Sequence, residues 1–449
     1  MKDKLYIGID VGGTKIAAAL VKGSGEILSR EKLPTPPNSR ASKVLSVISA
    51  LITELSVKNG IQLKNISGIG IGIPGIVDAT TGKIKITVNV GLSGLNITSE
   101  LAKKYHCVVA AGNDVNLGIL GEKWLGAARG ASNVVGLFPG TGIGGGIIAN
   151  NALVTGAFGA AAELGHMIMQ INGPACSCGN RGCLEALAGR WALERDIRKA
   201  VSQGENTIIT QLTKNNLRTI KSKIIREALK KKDPLTVRLV TQMSQILGQA
   251  CVNLRHIFDP EIILFGGGLI EACGKFILPR VKKTMQKDPF FKRVSHCDIV
   301  SSALGDNAVI LGAVALVKEK AGDNSGCRVK SPVLNLDGCN AVTVNGKIYE
   351  QDMYIRANGK IKKRGGKLNT TAKKTRLFIE PKEIKKICRH NPEVLIIGTK
   401  NEQKLRLPQI SLDFLKENCI NLAILPLSKA VALYNRTGES KAILLNIEH

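Results

Sequence analysis

The chain has 449 residues and a formal net charge of +28, from 63 lysines and arginines against 35 aspartates and glutamates. This length exceeds what one hydrophobic core usually organises, so two or three domains are expected. A hydrophobic content of 44% excludes global disorder, and no apolar run approaches the roughly 20 residues that a membrane helix needs. We therefore expect a folded cytoplasmic protein, and the positive charge makes nucleic acid the first partner to consider.

The N-terminal segment is predicted to form a β-hairpin with a glycine-rich turn. Apolar residues 5–9 lead into Asp10-Val11-Gly12-Gly13-Thr14-Lys15, and a second apolar run follows at residues 16–20. Glycines in such a turn expose backbone N–H groups to a phosphate, Thr14 adds a hydroxyl donor, and Asp10 can hold Mg²⁺ through water. An ordinary glycine turn is the alternative interpretation of this motif taken alone.

A candidate acid–base group follows the next predicted elements, which are a helix and two buried strands over residues 42–58, 67–73 and 108–111. Open α/β sheets bind ligands at the carboxyl ends of their strands, and Asn113 and Asp114 stand at such an end. Asp114 is therefore a candidate to accept the proton of a hydroxyl nucleophile, with the Asn113 amide binding adjacent hydroxyls. Alternatively, this pair caps the helix that begins near Val115.

The pattern of strand, Gly/Thr turn and strand recurs in the middle of the chain. Apolar residues 134–138 precede Gly140-Thr141-Gly142-Ile143-Gly144-Gly145-Gly146, and a further strand is predicted over residues 147–149. Two copies of the pattern indicate an internal duplication of one nucleotide-clamping unit. A third cluster, Gly266-Gly267-Gly268, lies between a predicted strand and a predicted helix, where backbone amides can approach a ligand closely.

A cluster of cysteines and a histidine provides the most specific motif. Cys176, Cys178 and Cys183 follow His166, and one histidine with three thiolates forms a closed tetrahedral set for structural Zn²⁺. Thiolate ligands exclude Mg²⁺ and Ca²⁺, and buried free cysteines are the alternative. A bound zinc would order the segment 163–185 and direct its acidic and histidine side chains toward a substrate.

Residues 1–320 resemble the ROK family of sugar kinases and sugar-responsive repressors. The resemblance rests on stretches that recur in order, namely 10–15, 74–75, 112–116 with Glu122, 141–146, 163–185 and 266–268. It implies an α/β, two-lobed actin-like and hexokinase-like ATPase fold of duplicated ribonuclease H-like halves, with ATP held between the lobes. The small lobe would span about residues 1–115 plus a C-terminal helix and the large lobe about 116–305, within a kinase domain of residues 1–322.

The resemblance also implies an activity and its site residues. The expected reaction transfers the γ-phosphoryl group of Mg-ATP to the 6-hydroxyl of a hexose, with glucose as the first candidate. Asp114 would act as general base, and the protein would form a homodimer or homotetramer. The residues expected to bind the sugar are Gly75, Asn113, Asp114, Glu163, His166 and Glu185. Those expected to bind ATP and its Mg²⁺ are Asp10, Gly12, Gly13, Thr14, Lys15, Thr141, Gly142 and Gly267, while His166, Cys176, Cys178 and Cys183 would bind zinc.

Two departures from the family pattern lie close to the expected sugar site. Ala162 stands where the family usually has Gly, and residues 90–96 lack the usual Trp. These departures leave open which sugar is bound, so N-acylmannosamine and other hexoses stand beside glucose. A non-catalytic sugar-responsive regulator is the alternative class of protein. Family repressors carry a winged helix-turn-helix ahead of the first phosphate motif and often lose a catalytic group, whereas Asp114 is present here.

The C-terminal part of the chain has a different character. A small polar linker is expected over residues 323–338, and residues 339–449 resemble the MTH938-like family of small α/β domains. The stretches that carry this resemblance are 344–349, 394–399 and 425–430. A basic stretch begins at Lys360 and ends at Lys374, and such a run is usually a solvated loop. Because the stretch contains no aromatic residue to stack on bases, nucleic acid is not expected as a partner beyond a weak basic patch.

Overall fold

The computed structural model divides the chain into two compact units, Met1–Asp323 and Asn324–His449. It describes residues 4–37, 40–78, 80–87, 90–291, 296–322, 334–337, 341–344, 347–357, 360–364, 379–389, 392–400, 405, 407–418, 420–437 and 441–446. Within these ranges, no helix is long and apolar enough to cross a membrane. The basic stretch beyond Arg364 and most of the expected linker lie outside the described residues.

The first half of the first unit is built on a five-stranded sheet. Its elements are β1 (Leu5–Val11), β2 (Lys15–Lys22), β3 (Ile27–Pro34), α1 (Ala41–Lys58), β4 (Ile66–Ile73), β5 (Gly75–Val77), β6 (Ile84–Thr87), α2 (Ile97–Tyr105), β7 (Val108–Asn113) and α3 (Asp114–Leu125). The strand order is β3-β2-β1-β4-β7, with β1–β2 and β2–β3 antiparallel and β1, β4 and β7 parallel. The predicted hairpin and the predicted helix over residues 42–58 are confirmed.

The second half repeats this topology. Its elements are β8 (Val134–Pro139), β9 (Ile143–Ala149), β10 (Ala152–Leu153), α4 (Leu184–Ala188), α5 (Arg190–Ser202), α6 (Ile208–Leu212), α7 (Ser222–Lys230), α8 (Pro234–Phe258), β11 (Ile262–Phe265), α9 (Gly268–Met285), β12 (Asp298–Ser301) and α10 (Ala308–Lys320). The order β10-β9-β8-β11-β12 has the same sequence of antiparallel and parallel pairs as the first sheet. The predicted internal duplication is therefore confirmed.

The glycines of β4 let α10 pack closely on the first sheet. Gly68, Gly70 and Gly72 alternate with isoleucines, so one face of the strand is bare backbone and the other is apolar. A Cβ built on Gly70 would lie 1.9 Å from the carbonyl oxygen of Ala313 in α10. The isoleucine face is buried in the same core as the apolar side of α1. The last helix of the unit thus returns from the second half to the first sheet.

The second unit is a small α/β fold. Its elements are β13 (Leu334–Asp337), β14 (Ala341–Val344), β15 (Lys347–Tyr349), β16 (Met353–Ile355), β17 (Ile361–Lys363), α11 (Pro381–Ile387), β18 (Val394–Thr399), α12 (Gln409–Glu417), β19 (Asn421–Pro426), α13 (Leu427–Arg436) and β20 (Lys441–Leu445). A mixed sheet has the order β17-β16-β20-β18-β19, and β13, β14 and β15 form a second sheet. β13 lies within the segment expected as linker. Leu334 is buried there, and the Asn435 side chain both donates to and accepts from its backbone (2.7 and 3.0 Å).

Candidate active site

Two carboxylates lie at the carboxyl ends of the first sheet, and a third, Glu163 from the segment after β10, acts on one of them. Asp10 lies near the end of β1, and Asp114 follows β7 as the first residue of α3. The pKa of Asp114 is raised to about 6, first by burial and then by the carboxylates of Asp10 and Glu163, although its Oδ1 accepts from the Val115 N–H (2.9 Å). Burial also raises the pKa of Asp10 to about 6. A carboxylate with such a pKa is ionised at neutral pH and is still basic enough to accept a proton.

Asn113 connects this helix start to the start of β5. Its Oδ1 accepts from the Asn116 N–H (3.0 Å), so the capping interpretation is confirmed for this residue. Its Nδ2 donates to the carbonyl oxygen of Gly75 (3.0 Å), whose backbone has a φ of 137° that favours glycine. Asn113 and Gly75, which are both predicted to bind a sugar, are thereby brought together beside Asp114.

The first glycine turn presents unused hydrogen-bond donors. The Gly12 N–H donates to the Lys15 carbonyl (2.9 Å) and closes the turn. Among the described residues, no acceptor takes the backbone N–H groups of Gly13 and Thr14 or the Thr14 hydroxyl. The Lys15 ammonium instead contacts Asp306 Oδ2 (3.0 Å), in the short 3₁₀ turn before α10. The turn is therefore suited to an anion, while Lys15 is held at its edge by a carboxylate.

The second glycine turn lies beside Asp114 and has donors of the same kind. The Gly140 N–H donates to the Gly142 carbonyl (2.8 Å), and no described acceptor takes the backbone N–H groups of Thr141 and Gly142. A Cβ on Gly144 would lie 2.6 Å from a methyl group of Val115, which follows Asp114 in α3. The turn between β8 and β9 is thus packed against the start of the helix that carries the candidate base.

A cavity of about 740 Å³ opens at the carboxyl ends of β11 and β12. Phe265, Gly266 and Ser301 line its floor, and its walls include the cationic side chains of Arg226, Lys230 and Arg280. The neighbouring Gly267 has a φ of 83°, and a Cβ on it would lie 2.9 Å from the Pro139 carbonyl oxygen at the second turn. The cavity and the turn are therefore adjacent, as a nucleotide with its phosphates at the turn would require.

The predicted metal ligands form one cluster. The ligand atoms of His166, Cys176, Cys178 and Cys183 all lie within 4.8 Å of one another. Cys176 Sγ lies 3.7 Å from His166 Nδ1, and Cys178 Sγ lies 3.7 Å from Cys183 Sγ. Four ligands about 2.0–2.3 Å from a zinc ion at the corners of a tetrahedron would have such separations, so the donor set fits zinc in chemistry and spacing.

Glu185 joins the metal-ligand loop to the second glycine turn. Its Oε2 accepts from the Ile143 N–H (2.8 Å), and its Oε1 lies 3.3 Å from Trp191 Nε1 and 3.5 Å from Ser177 Oγ. Ser177 lies between two of the candidate zinc ligands. Glu185, which is predicted to bind a sugar, therefore also supports the second glycine turn. Spacing alone did not indicate this contact, because Glu185 and Ile143 lie 42 residues apart in sequence.

Glu122 has a structural role that the sequence analysis did not assign. Its fully buried carboxylate accepts from the Ser302 hydroxyl (2.6 Å) and from the backbone N–H groups of Ala303 and Leu304 (2.9 and 2.8 Å). Its second oxygen accepts from the Ala127 N–H (2.8 Å). Glu122 thus fixes α3 to the segment that leads from β12 to α10, and its place between the apolar pairs 119–120 and 124–125 was the signal for such a role.

Ala162 adopts a conformation that explains the family's usual glycine. Its φ is 65°, in the left-handed region that a residue with a Cβ rarely occupies. Its carbonyl oxygen lies 2.5 Å from the position of a Cβ built on Gly145 in β9. The backbone before Glu163 is therefore bent sharply against β9, and alanine retains this bend at a cost in conformational energy.

The family model described as the ROK family matches residues 6–320. The chain belongs to the ROK family. It is 34% identical over 317 residues to the glucokinase of Thermotoga maritima, covering 70% of this chain and 98% of that protein. It is also 34% identical over 313 residues to the xylose repressor of Caldicellulosiruptor bescii, covering 69% and 77% of the two chains. ROK relatives with similar sequences thus include both enzymes and repressors.

Solved structures confirm the predicted fold class. The crystal structure of a ROK family glucokinase from Streptomyces griseus, in complex with glucose and AMPPNP, matches with a TM-score of 0.60 and 31% identity. The match covers 70% of this chain and 99% of that chain. The two-lobed actin-like, hexokinase-like α/β architecture therefore applies to the first unit. The family match ends at residue 320, and the resemblance of residues 339–449 to the MTH938-like family stays a prediction.

Proposed function

We propose that the protein is an ATP-dependent sugar kinase that phosphorylates the 6-hydroxyl of a hexose, with glucose as the first candidate. The observation that carries the proposal is the position of Asp114. This carboxylate with a raised pKa begins a helix packed against one of two glycine turns whose backbone N–H groups are unused. A base beside donors for a phosphate is what transfer of a phosphoryl group to a hydroxyl requires.

Asp114 accepts the hydroxyl proton in this mechanism. With a pKa of about 6 it is mostly ionised at neutral pH. The Val115 N–H on Oδ1 holds the carboxylate in a fixed orientation. Asn113, Gly75, Glu163 and Glu185 would orient the hexose, together with His166, whose Nδ1 lies 3.7 Å from Cys176 Sγ. Positioning accounts for most of the rate in such reactions, so these residues matter as much as the base.

The two glycine turns would hold the phosphates of ATP. Gly13 and Thr14 on one side and Thr141 and Gly142 on the other would contribute backbone or hydroxyl donors, while the Gly12 N–H closes the first turn on the Lys15 carbonyl. The base and ribose would occupy the cavity of about 740 Å³ next to Gly267. The Lys15 ammonium, which contacts Asp306, would stand at the edge of the first turn.

Two metal ions belong to the proposal. The buried carboxylates of Asp10 and Asp114 repel each other, and this arrangement fits a divalent cation near Asp10. Mg²⁺ bound there would neutralise the developing charge on the phosphates. Zn²⁺ on His166 and the three cysteines would supply structural rigidity, because four protein ligands leave no open position for catalysis.

A panel of hexoses with Mg-ATP, followed by a coupled assay of ADP release, tests the proposed function. We expect turnover with glucose and slower or no turnover with most other hexoses, and turnover only with an N-acylmannosamine would reassign the substrate. No turnover with any sugar, together with sugar binding in calorimetry, would favour the alternative of a sugar-responsive regulator. That alternative is motivated by the 34% identity to a xylose repressor.

A further inference from the structure

We propose that Arg190 is a positioning residue for phosphoryl transfer, which fixes the direction in which the Thr141 hydroxyl donates its proton. The inference rests on the proposed kinase function. Arg190 is the first residue of α5, directly after the metal-ligand loop and α4. Its Nη2 lies 2.8 Å from Thr141 Oγ1, so it reaches the second glycine turn from the side of the large lobe's helices.

The guanidinium group is itself held in place. Nη1 of Arg190 donates to Glu194 Oε1, one helical turn further along α5, and to the carbonyl oxygen of Ile220 (3.2 Å). The two side chains of this ion pair are only 16% and 9% exposed. A guanidinium that donates to three acceptors is held rigidly, and Glu194 is its ion-pair partner. Arg190 is therefore a fixed hydrogen-bond donor to Thr141 rather than a mobile cation that is available to bind phosphate.

The hydrogen bond from Arg190 determines where the Thr141 hydroxyl can donate its own proton. A guanidinium has donors and no acceptor, so Thr141 Oγ1 must be the acceptor in the contact with Arg190. The Thr141 hydroxyl proton then has to point elsewhere. Among the described residues, no acceptor takes it. A phosphate oxygen in front of the turn would be such an acceptor, and the N–H groups of Thr141 and Gly142 are free for the same ligand.

The backbone of the turn is fastened on the same side. The N–H groups of Arg190 and Trp191 donate to the carbonyl oxygens of Gly140 and Thr141 (3.2 and 3.1 Å). Trp191 Nε1 also contacts Glu185, which accepts from the Ile143 N–H on its other oxygen. These bonds prevent the peptide groups of the turn from rotating. The hydrogen bond from Arg190 in turn fixes the rotamer of the Thr141 side chain. Preorganised donors of this kind act mainly on the transition state.

The test compares Arg190→Met with Arg198→Met in the full-length chain. Arg198 contacts the same Glu194 (3.8 Å) from the next turn of α5 but donates to the carbonyl of Leu217 rather than to Thr141. We expect Arg190→Met to lower kcat about tenfold or more with a less than threefold change in KM for ATP. Arg198→Met should keep kcat within twofold, and Arg190→Lys, which retains a donor, should recover part of the loss.

A double-mutant cycle shows whether Arg190 acts through the hydroxyl. In a Thr141→Val background, Arg190→Met should add less than a twofold further loss, because the group it orients is gone. A loss in kcat as large in that background as in the wild type would overturn the proposal, as would equal effects of Arg190→Met and Arg198→Met. Thermal unfolding of each variant identifies one that has lost its fold. Absence of turnover by the wild type would instead refute the kinase function itself.

Discussion

Replacing Asp114 by Asn is expected to lower activity and raise stability at the same time. Asparagine keeps the volume of the side chain and an oxygen that can accept from the Val115 N–H, but it carries no charge and accepts no proton. Loss of a general base that acts in the transition state lowers kcat by about 10²- to 10⁴-fold and leaves ATP binding little changed. Few substitutions in a protein improve stability while abolishing function, so the pair of effects is diagnostic.

The gain in stability follows from the pKa of Asp114. Its value is about 6 in the folded chain against an ordinary 3.8, and 1.36 kcal/mol per pKa unit gives a cost on the order of 3 kcal/mol. Because the folded chain binds this proton more tightly than the unfolded chain, stability is highest at low pH and is lost as the pH rises through about 6. The full cost is present at pH 8, and about half of it at pH 5.

Urea unfolding of the wild type and of Asp114→Asn at pH 8 and pH 5 measures this cost. The variant should be more stable by about 1–3 kcal/mol at pH 8, with a gain about half as large at pH 5. The kcat of the wild type should rise as the pH passes through about 6. Equal stability of the two proteins at pH 8 would refute a destabilising charge on Asp114. Unchanged turnover of the variant would refute the assignment of Asp114 as general base.

Three further substitutions test other parts of the site and its support. Cys178→Ser should lower the zinc content found by metal analysis and raise KM for the hexose before it affects ATP, because the ligand set is adjacent to Glu185. Ala162→Gly removes the strain of a left-handed alanine, so urea unfolding should show a gain of about 1 kcal/mol. Asp233→Ala should lower stability by about 1–2 kcal/mol, since this carboxylate caps α8 through the Thr236 N–H (2.9 Å).

Each of these outcomes has a control. Cys107→Ser changes a cysteine outside the cluster and should leave the zinc content unchanged, and a wild type without zinc would end the argument for the metal. A loss of stability in Ala162→Gly would mean that no strain is stored at that residue.

Burial alone would raise the pKa of Asp233, but its hydrogen bonds lower it. The effect of Asp233→Ala should therefore shrink as the pH falls through the pKa of this carboxylate, and an effect that persists in acid would contradict the charge's role in capping.

Local patterns predicted the framework of the first unit. The alternation of apolar residues with a glycine-rich turn was enough to predict the β1–β2 hairpin, and its repetition at residues 134–149 was enough to predict the duplicated sheet. The Cys/His cluster also followed from spacing, since its four ligands lie within 18 residues of sequence. Such features depend on neighbouring residues, which a sequence displays directly.

Long-range contacts could not be predicted in this way. The Lys15 ammonium contacts Asp306, 291 residues away, and the sequence offered only its place in a phosphate-binding motif. Arg190 reaches Thr141 across 49 residues, and nothing in its helix marks it as different from Arg198. β13 appeared to be part of a polar linker, because the Asn435 side chain that pairs with Leu334 lies 101 residues further on. Pairing of this kind depends on the fold as a whole.

The position of the phosphate in the product decides whether the protein is a hexose 6-kinase. Full-length protein is incubated with glucose and Mg-ATP, and the product is followed by ³¹P NMR. We expect one phosphate monoester, on the 6-hydroxyl of glucose, that forms in step with ADP and is absent with Asp114→Asn. Consumption of ATP without a sugar phosphate, or the same ester formed at the same rate by the variant, would contradict it.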